Sequence, residues 1–422
     1  MLNNSKQKPN NSMDSSRSAE QKIHLEITPE IPIPTFLTSE IQSKLAYVDE
    51  WITSAKVSSD KILVEITPTG TDDKTSSIPE VVKEIEEKIQ QVVISMAKGS
   101  IKPKIQLLED YLDRAVYYHS DPMDELFRRG EIGKEAEGIY SLGPFLSGLI
   151  NYFEILFTDL AKSFEAIPYR FPTLIPARYM ERVKYFQSFP HSLTFVTHLR
   201  EDLNSIDSFA QNATCEGAEL NTPLEYFDRI QSLLSPAVCY HLYFLLADKP
   251  LPGGKLTATA VGNCFRYESI NLNSLERMWN FTMREVIFVG AKDFVLENRE
   301  NARQRMEKKF EEIGMAYRVE SANDPFFIGE FRKQAAFQSA FQLKFEIKAW
   351  LPYKNSTLAI GSYNYHQDFF GRSLNITLPN GSPAHTGCVA FGLERIAFAF
   401  LAQYGFDLTK WPDQIRSHLT HV

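Results

Sequence analysis

Two runs of alternating apolar residues bracket a polar loop in the second half of the chain. The hairpin they imply narrows the possible folds more than any other feature. The runs from Thr257 to Tyr267 and from Thr282 to Val289 read as antiparallel strands joined through Asn271, Asn273 and Ser274. Side chains on a strand alternate between its two faces. Arg266 and Glu268 are therefore expected to point the same way, with Phe281 and Glu285 returning opposite them. An arginine, an acid, a second arginine in the loop (Arg277) and a phenylalanine that can stack together suit a bound nucleoside triphosphate. The bland alternative is a cross-strand salt bridge between Arg266 and a neighbouring acid.

The 422 residues allow two or three domains and a substantial core. With a formal charge of −8 and no basic arm, the chain is poorly suited to nucleic acid, whose affinity rests on phosphate contacts. Four scattered cysteines, Cys215, Cys239, Cys264 and Cys388, make no disulfide framework and suit reduced thiols in the cytoplasm. No apolar run reaches membrane-spanning length. Residues 1–20, rich in Asn and Ser, read as a disordered tail.

Residues 21–100 read as a small α/β unit with the order β-α-β-α, in which Glu-Ile-Thr-Pro recurs at 26–29 and 65–68 as a hint of duplication. Ile23, Leu25 and Ile27 form one half-buried strand and Ile62, Val64 and Ile66 another. Ile41, Leu45 and Val48 mark a helix between them, and a second helix starts at Ser77 and Pro79. The break at Gly99-Ser100 opens the larger domain, 101–422. There a helix is expected over Leu107 to Leu126 and a longer apolar one from about Leu142 to Phe164, before the run Pro168 to Pro176.

Three motifs now stand in order: long helix, short strand and proline; Arg-x-Glu, loop, Arg-x-x-x-Phe-x-x-x-Glu; and Gly387 to Arg395, containing Gly-Leu-Glu-Arg. This set resembles the signature motifs of class II aminoacyl-tRNA synthetases, from roughly Leu107 to Val422. The resemblance implies an α+β fold, an antiparallel sheet flanked by helices, and a homodimer formed through the first motif. It also implies an ATP site. Arg266 meets the α-phosphate, Glu268 the adenine edge, Arg277 the γ-phosphate, Phe281 stacks on adenine beside Met278, and Arg395 closes the other face; Arg266 and Arg395 act as catalytic residues. Gly392 suits close approach to the nucleotide. Two further strands are expected to run beneath ATP, bringing Lys344 and Ala359, Ile360, Gly361 and Ser362 to it. Ala359 stands where synthetases place a Mg²⁺-binding acid, which leaves Glu346 in reserve.

Cys239, Glu285 and Cys388 are too far apart for spacing to suggest a shared site, and isolated cysteines are usually small buried side chains. On the implied fold they converge. The Cys-Glu-Cys set resembles the zinc centre of atypical, methanogen-type seryl-tRNA synthetases and their truncated relatives, where the metal takes the amino group of the substrate. Two thiolates, a carboxylate and one open position make a catalytic type of zinc site, with Cys239 and Glu285 contacting the substrate. Cys215 and Cys264 are read as non-ligands, His366 and His385 as structural or rim residues, and Gly253-Gly254-Lys255 as a turn rather than a phosphate loop.

The fullest resemblance is to amino acid:carrier-protein ligases. It implies ATP-dependent activation of a small amino acid, glycine or alanine, and transfer to the phosphopantetheine thiol of an acidic carrier protein, with Zn²⁺, ATP and Mg²⁺ as cofactors. Residues 328–337 read as a helix exposing Arg332 and Lys333 as a dock for that partner. The run Arg303 to Lys309 reads as a solvated helix face. Two alternatives stand beside this: an atypical zinc-dependent seryl-tRNA synthetase, and a non-catalytic amino-acid sensor. The intact arginines weigh against the sensor.

Overall fold

The first alternating runs form a three-stranded antiparallel sheet. In the computed structural model, β1 (Ile23–Ile27), α1 (Thr38–Leu45), β2 (Ile52–Val57), β3 (Ile62–Ile66) and α2 (Ile78–Ala97) follow in order, and the sheet runs β1-β3-β2. The structure describes residues 22–68, 77–100, 105–272, 274–322 and 343–419. Ser77 caps α2 in a reciprocal box with Glu80, and Val81, Ile85, Ile89 and Val93 bury one face. Strand β2 escapes the sequence reading because its register slips between Ile52 and Ser54, which breaks the alternation. The unit is therefore β-α-β-β-α, and the recurring Glu-Ile-Thr-Pro ends two directly paired strands, β1 and β3, rather than two βα repeats.

Chain contacts divide at Lys98 and Gly99. The larger unit is built on an eight-stranded sheet. Its strands are β4 (Leu107–Asp110), β5 (Ile167–Pro168), β6 (Leu256–Phe265), β7 (Asn280–Gly290), β8 (Tyr317–Ser321), β9 (Lys344–Leu351), β10 (Ser356–Gln367) and β11 (His385–Gly392). They lie in the order β4-β8-β9-β10-β11-β7-β6-β5, antiparallel except for the short β5–β6 pair. Three helices cover one face: α3 (Pro144–Lys162), α5 (Lys292–Ile313) and α6 (Leu393–Tyr404), while α4 (Cys239–Leu245) lies on the other side. Val286, Phe288, Phe345, Ile347, Tyr363, Val389 and Phe391 point into the helical core. Phe157 of α3 stacks on Phe391 with ring centroids 3.8 Å apart. Residues that alternate with these face the other way and carry the polar groups. No described helix is long and apolar enough to cross a membrane.

The expected helix over Leu107 to Leu126 is not formed. Leu107–Asp110 is the edge strand β4, and the helix is confined to Pro122–Arg128, with Asp121 accepting from the Met123 amide at 2.9 Å. Glu109 draws the edge strand in, since its buried carboxylate takes the Tyr317 hydroxyl at 2.6 Å and pairs with Arg303. Arg303 is thus an interior tie of α5 rather than part of a solvated face. Arg305 likewise donates to the Ser163 carbonyl, at 2.5 Å. The segments 1–20, 328–337 with Arg332 and Lys333, and Asn273 lie outside the described residues.

The small unit carries one titratable strain. Lys44 of α1 is 5% exposed, and burial pushes its ammonium down to about 8 from 10.5 against the attraction of Glu40. Between those two pH values the unfolded chain binds more protons, so stability rises with pH through that window. Replacing Lys44 with Met is expected to stabilise this unit by up to about 3 kcal/mol below pH 8. The gain should shrink to nothing by pH 10.5, as read from urea midpoints of the full-length protein across pH. A gain independent of pH would contradict the account.

Candidate functional site

Register across the sheet assembles the site. One cross-strand row contains Ala260, Glu285, Ala390, Ser362, Glu346 and Glu320; the next contains Ala258, Ile287, Cys388, Asn364 and Lys344. Both rows lie on the face away from the helical core. Glu285 and Cys388 become diagonal neighbours, and the N-terminus of α4 brings Cys239 over them. The ligand atoms of Cys239, Glu285 and Cys388 all lie within 4.8 Å of one another, and all three residues are buried. Gly387 precedes this thiol because a Cβ there would lie 2.7 Å from the Asn364 carbonyl of the neighbouring strand. Gly392 has ordinary room for a Cβ, its nearest neighbour being 3.8 Å away, so no packing within the protein demands glycine there.

The triad is electrostatically uncomfortable as it stands. Glu285 Oε1 accepts the backbone amides of Val238 at 3.0 Å and Cys239 at 3.3 Å, whereas Oε2 is buried with no hydrogen-bond partner. Burial raises the Glu285 carboxyl against those bonds. The Cys239 thiol is pushed well up by its hydrogen bond with Cys388, by burial and by the Glu285 charge. A hydrogen bond from Cys239 lowers Cys388, but burial and Glu285 outweigh it and the net shift is upward. A divalent cation would reverse all three tendencies at once. Two sulfurs and an orphaned carboxylate oxygen suit zinc, so the residues present fit that metal. Cys264 is buried away from the triad's ligand set and Cys215 is exposed.

The second cluster lies at the far end of the hairpin. Strand β6 ends at Phe265, so Arg266 and Glu268 are not strand residues as the alternation predicts. A 3₁₀ turn at Ser269–Asn271, with Ser269 at φ 51°, ends the ladder early. The last tie is the Arg266 amide to the Trp279 carbonyl at 3.0 Å. The arginines still converge. Arg266 donates from Nε to the Pro236 carbonyl at 3.0 Å, and its guanidinium lies 5.4 Å from the Phe281 ring centre. Arg277 is ion-paired with Glu268. Burial would raise the Glu268 carboxyl, but Arg277, Arg395 and Arg266 hold it below the ordinary range. Arg395 donates to the Ala359 carbonyl at 3.4 Å. Its guanidinium is pushed down by burial, and Glu268 opposes that shift.

The remaining expectations divide. Met278 and Ile360 are buried in the helical core, so their side chains face away from this cluster. Ser362 lies on the open face beside Glu346, while a register shift between Ile347 and Lys348 disturbs the pairing at Ala359. Lys344 pairs with Glu346 at 3.0 Å, and Lys348 bridges Glu346 and Glu320 at 3.6 and 2.8 Å. His366 and His385 bond Thr386 and Tyr365 at 3.2 and 2.6 Å. The sequence reading missed Glu394, whose buried carboxylate takes the Thr282 amide with both oxygens at 2.8 and 3.0 Å and fixes β7 to the first turn of α6. It also missed Asn364, beside Cys388, and Tyr243, one helical turn beyond Cys239 and fully buried. Strand pairing exposes Asn364, and the docking of α4 and α6 on the sheet exposes Tyr243 and Glu394.

Comparison with known proteins agrees with this architecture. Residues 231–404 match the tRNA synthetase class II core domain (G, H, P, S and T). Amino acid–(acyl-carrier-protein) ligase 1 of Bradyrhizobium diazoefficiens is 34% identical over 302 residues, covering 71% of this chain and 90% of that relative. Ligase 2 of the same organism is 36% identical over 251 residues, covering 59% and 73%. In fold, the chain resembles the Methanopyrus kandleri seryl-tRNA synthetase solved in complex with A. aeolicus tRNASec, with a TM-score of 0.67, 17% identity, and 95% and 96% of the two chains covered. The chain belongs to the amino acid–(acyl-carrier-protein) ligase family, built on the class II synthetase core.

Proposed function

We propose that the protein activates a small amino acid, glycine or alanine, with ATP and passes the aminoacyl group from the adenylate to the phosphopantetheine thiol of an acyl carrier protein. The observation that carries this reading is the division of one hairpin into two chemistries: an arginine–glutamate cluster at its open end and the Cys239–Glu285–Cys388 triad at its middle. A carboxylate held near the triad and a triphosphate held near the arginines meet in line along β7.

Arg266 meets the α-phosphate, where charge grows as the carboxylate attacks and pyrophosphate leaves. Phe281 offers its ring to adenine, with Arg395 on the opposite side. Arg277 exchanges Glu268 for the γ-phosphate end of ATP, an inexpensive swap for an arginine that is 46% exposed. Glu268, so released, accepts from the adenine edge. Lys344 and Ser362 flank the phosphates, with Glu346 the acid available for Mg²⁺. Cys239, Glu285 and Cys388 would hold zinc, which when bound would supply a Lewis acid for the neutral α-amino group and so favour substrates that carry one. A metal gripping the amino group between these buried residues would leave little room for a large side chain. No general base is required for thiol attack, because the acyl-adenylate is already activated.

A seryl-tRNA synthetase activity is the second reading, favoured by the fold likeness along 95% of the chain. Against it, residues 22–98 hold eight lysines and no arginine beside thirteen acids, a poor surface for tRNA phosphates. ATP–pyrophosphate exchange over an amino-acid panel, followed by transfer to holo carrier protein or to tRNA, separates the readings. Exchange with glycine or alanine and labelled carrier protein are expected. Absence of exchange with every amino acid would refute the enzyme, and transfer to tRNA alone would refute the ligase.

Replacing Cys239 with Ala is expected to remove zinc, measured by elemental analysis of purified protein, and to abolish exchange; undiminished zinc would contradict the metal assignment. Replacing Glu268 with Ala should raise the ATP KM roughly tenfold or more, as loss of a charged hydrogen bond implies, while zinc content is unchanged. An unaltered ATP KM would place adenine elsewhere.

A further inference from the structure

Asn364 of β10 touches the triad without belonging to it. Its Nδ2 donates to Cys388 Sγ at 3.4 Å and to Ser362 Oγ at 2.9 Å. The register explains the contact: Asn364 lies directly opposite Cys388 on β11, and Ser362 two residues away stands on the same face. The choice of amide flip follows from the sulfur. A serine hydroxyl accepts a hydrogen bond from Nδ2 or donates one to Oδ1 equally well, so Ser362 selects neither orientation. A sulfur that ligates a metal accepts N–H and repels a carbonyl oxygen, so the orientation with Nδ2 toward Cys388 is the one a ligating sulfur requires.

Cys388 needs such a donor more than an ordinary ligand does. It is 3% exposed, and of its other close neighbours, a thiol and a carboxylate, the carboxylate disfavours a second anion beside it. Hydrogen bonds to the ligands of a metal also fix their rotamers. We propose that Asn364 is a positioning residue of the Cys239–Glu285–Cys388 centre, holding the Cys388 sulfur in the orientation of a ligand and thereby setting how tightly the three residues bind a divalent cation. This inference rests on the reading of the triad as a metal centre.

The test compares full-length wild type, Asn364→Leu and Asn364→Asp. Zinc affinity is measured by competition with a chromophoric chelator, and the cobalt-substituted proteins are read by absorption spectroscopy. Wild type is expected to bind one zinc per chain, and Asn364→Leu to bind it 10- to 100-fold more weakly. The sulfur-to-cobalt charge-transfer band should move to lower energy, because an unbonded thiolate is more electron-rich. Asn364→Asp, which sets a carboxylate against the sulfur, should weaken binding further; it also decides the matter if Asn364→Leu fails to fold. Affinity within twofold of wild type and unmoved bands in the folded variants would overturn the proposal. A wild type that binds no zinc would instead overturn the metal reading beneath it.

Discussion

The carboxylate of Glu285 joins the two layers on which the site depends. Through Oε1 it accepts the amides of Val238 and Cys239 and so seats the first turn of α4 on the open face of the sheet. An acid suits that place, because a helix start presents unsatisfied N–H groups and a partial positive charge. Through Oε2 the same carboxylate remains without a hydrogen-bond partner beside two thiols. A buried acid that is half satisfied costs stability unless something else uses the free oxygen. One oxygen thus serves the architecture, and the other is left for the metal proposed at the triad.

The sheet makes this possible by separating its faces so completely. Every second residue of β9 is buried against the helices, while Lys344, Glu346 and Lys348 alternate to the open side. Glu346 and Glu320 sit directly opposite each other, which would repel were it not for Lys348 between them. A similar logic governs the hairpin. Glu394 clamps Thr282 from the helix side, Arg284 reaches Glu154 of α3, and the alternating residues Phe281, Met283 and Glu285 are left to the open face. Rigid attachment on one face is what allows polar groups on the other to hold their geometry.

How much of this was legible in the sequence depends on how local each signal was. The hairpin, the long apolar helix and the strand before Gly-Leu-Glu-Arg carry their own periodicity and turn residues, and they lie where the pattern puts them. Strand β2 hid behind a bulge at Thr53, and β4 looked helical because its stabilising partner, Arg303, lies 194 residues away. The same distinction divides the site residues. Arg266, Glu268, Arg277 and Arg395 were recognisable from motif order, although the turn at Ser269 takes Glu268 off the strand. The triad was recognisable only through resemblance to a family, since 46 and 103 residues separate its members in sequence. Asn364 and Tyr243 carry no motif at all, and Glu394 lies inside Gly-Leu-Glu-Arg without the motif showing what its carboxylate holds; it takes strand register and helix docking to give them meaning.

The relation between the two ends of the hairpin also bears on why a carrier protein suits this fold. Activation needs the amino group and the triphosphate fixed at once, and on the proposed reading a single rigid strand would do this with Phe281 and Glu285 four residues apart, about 13 Å of extended backbone. Transfer needs far less: an aligned thiol, with no acid or base from the protein. A flexible phosphopantetheine arm can satisfy that need from outside the sheet, so the acceptor need not be gripped by a large basic surface. The acidic 22–98 stretch and the net charge of −8 conflict with a phosphate-rich acceptor such as tRNA. An acidic protein partner would then have to dock through local basic residues rather than through the overall field, which makes its recognition short-ranged and dependent on shape.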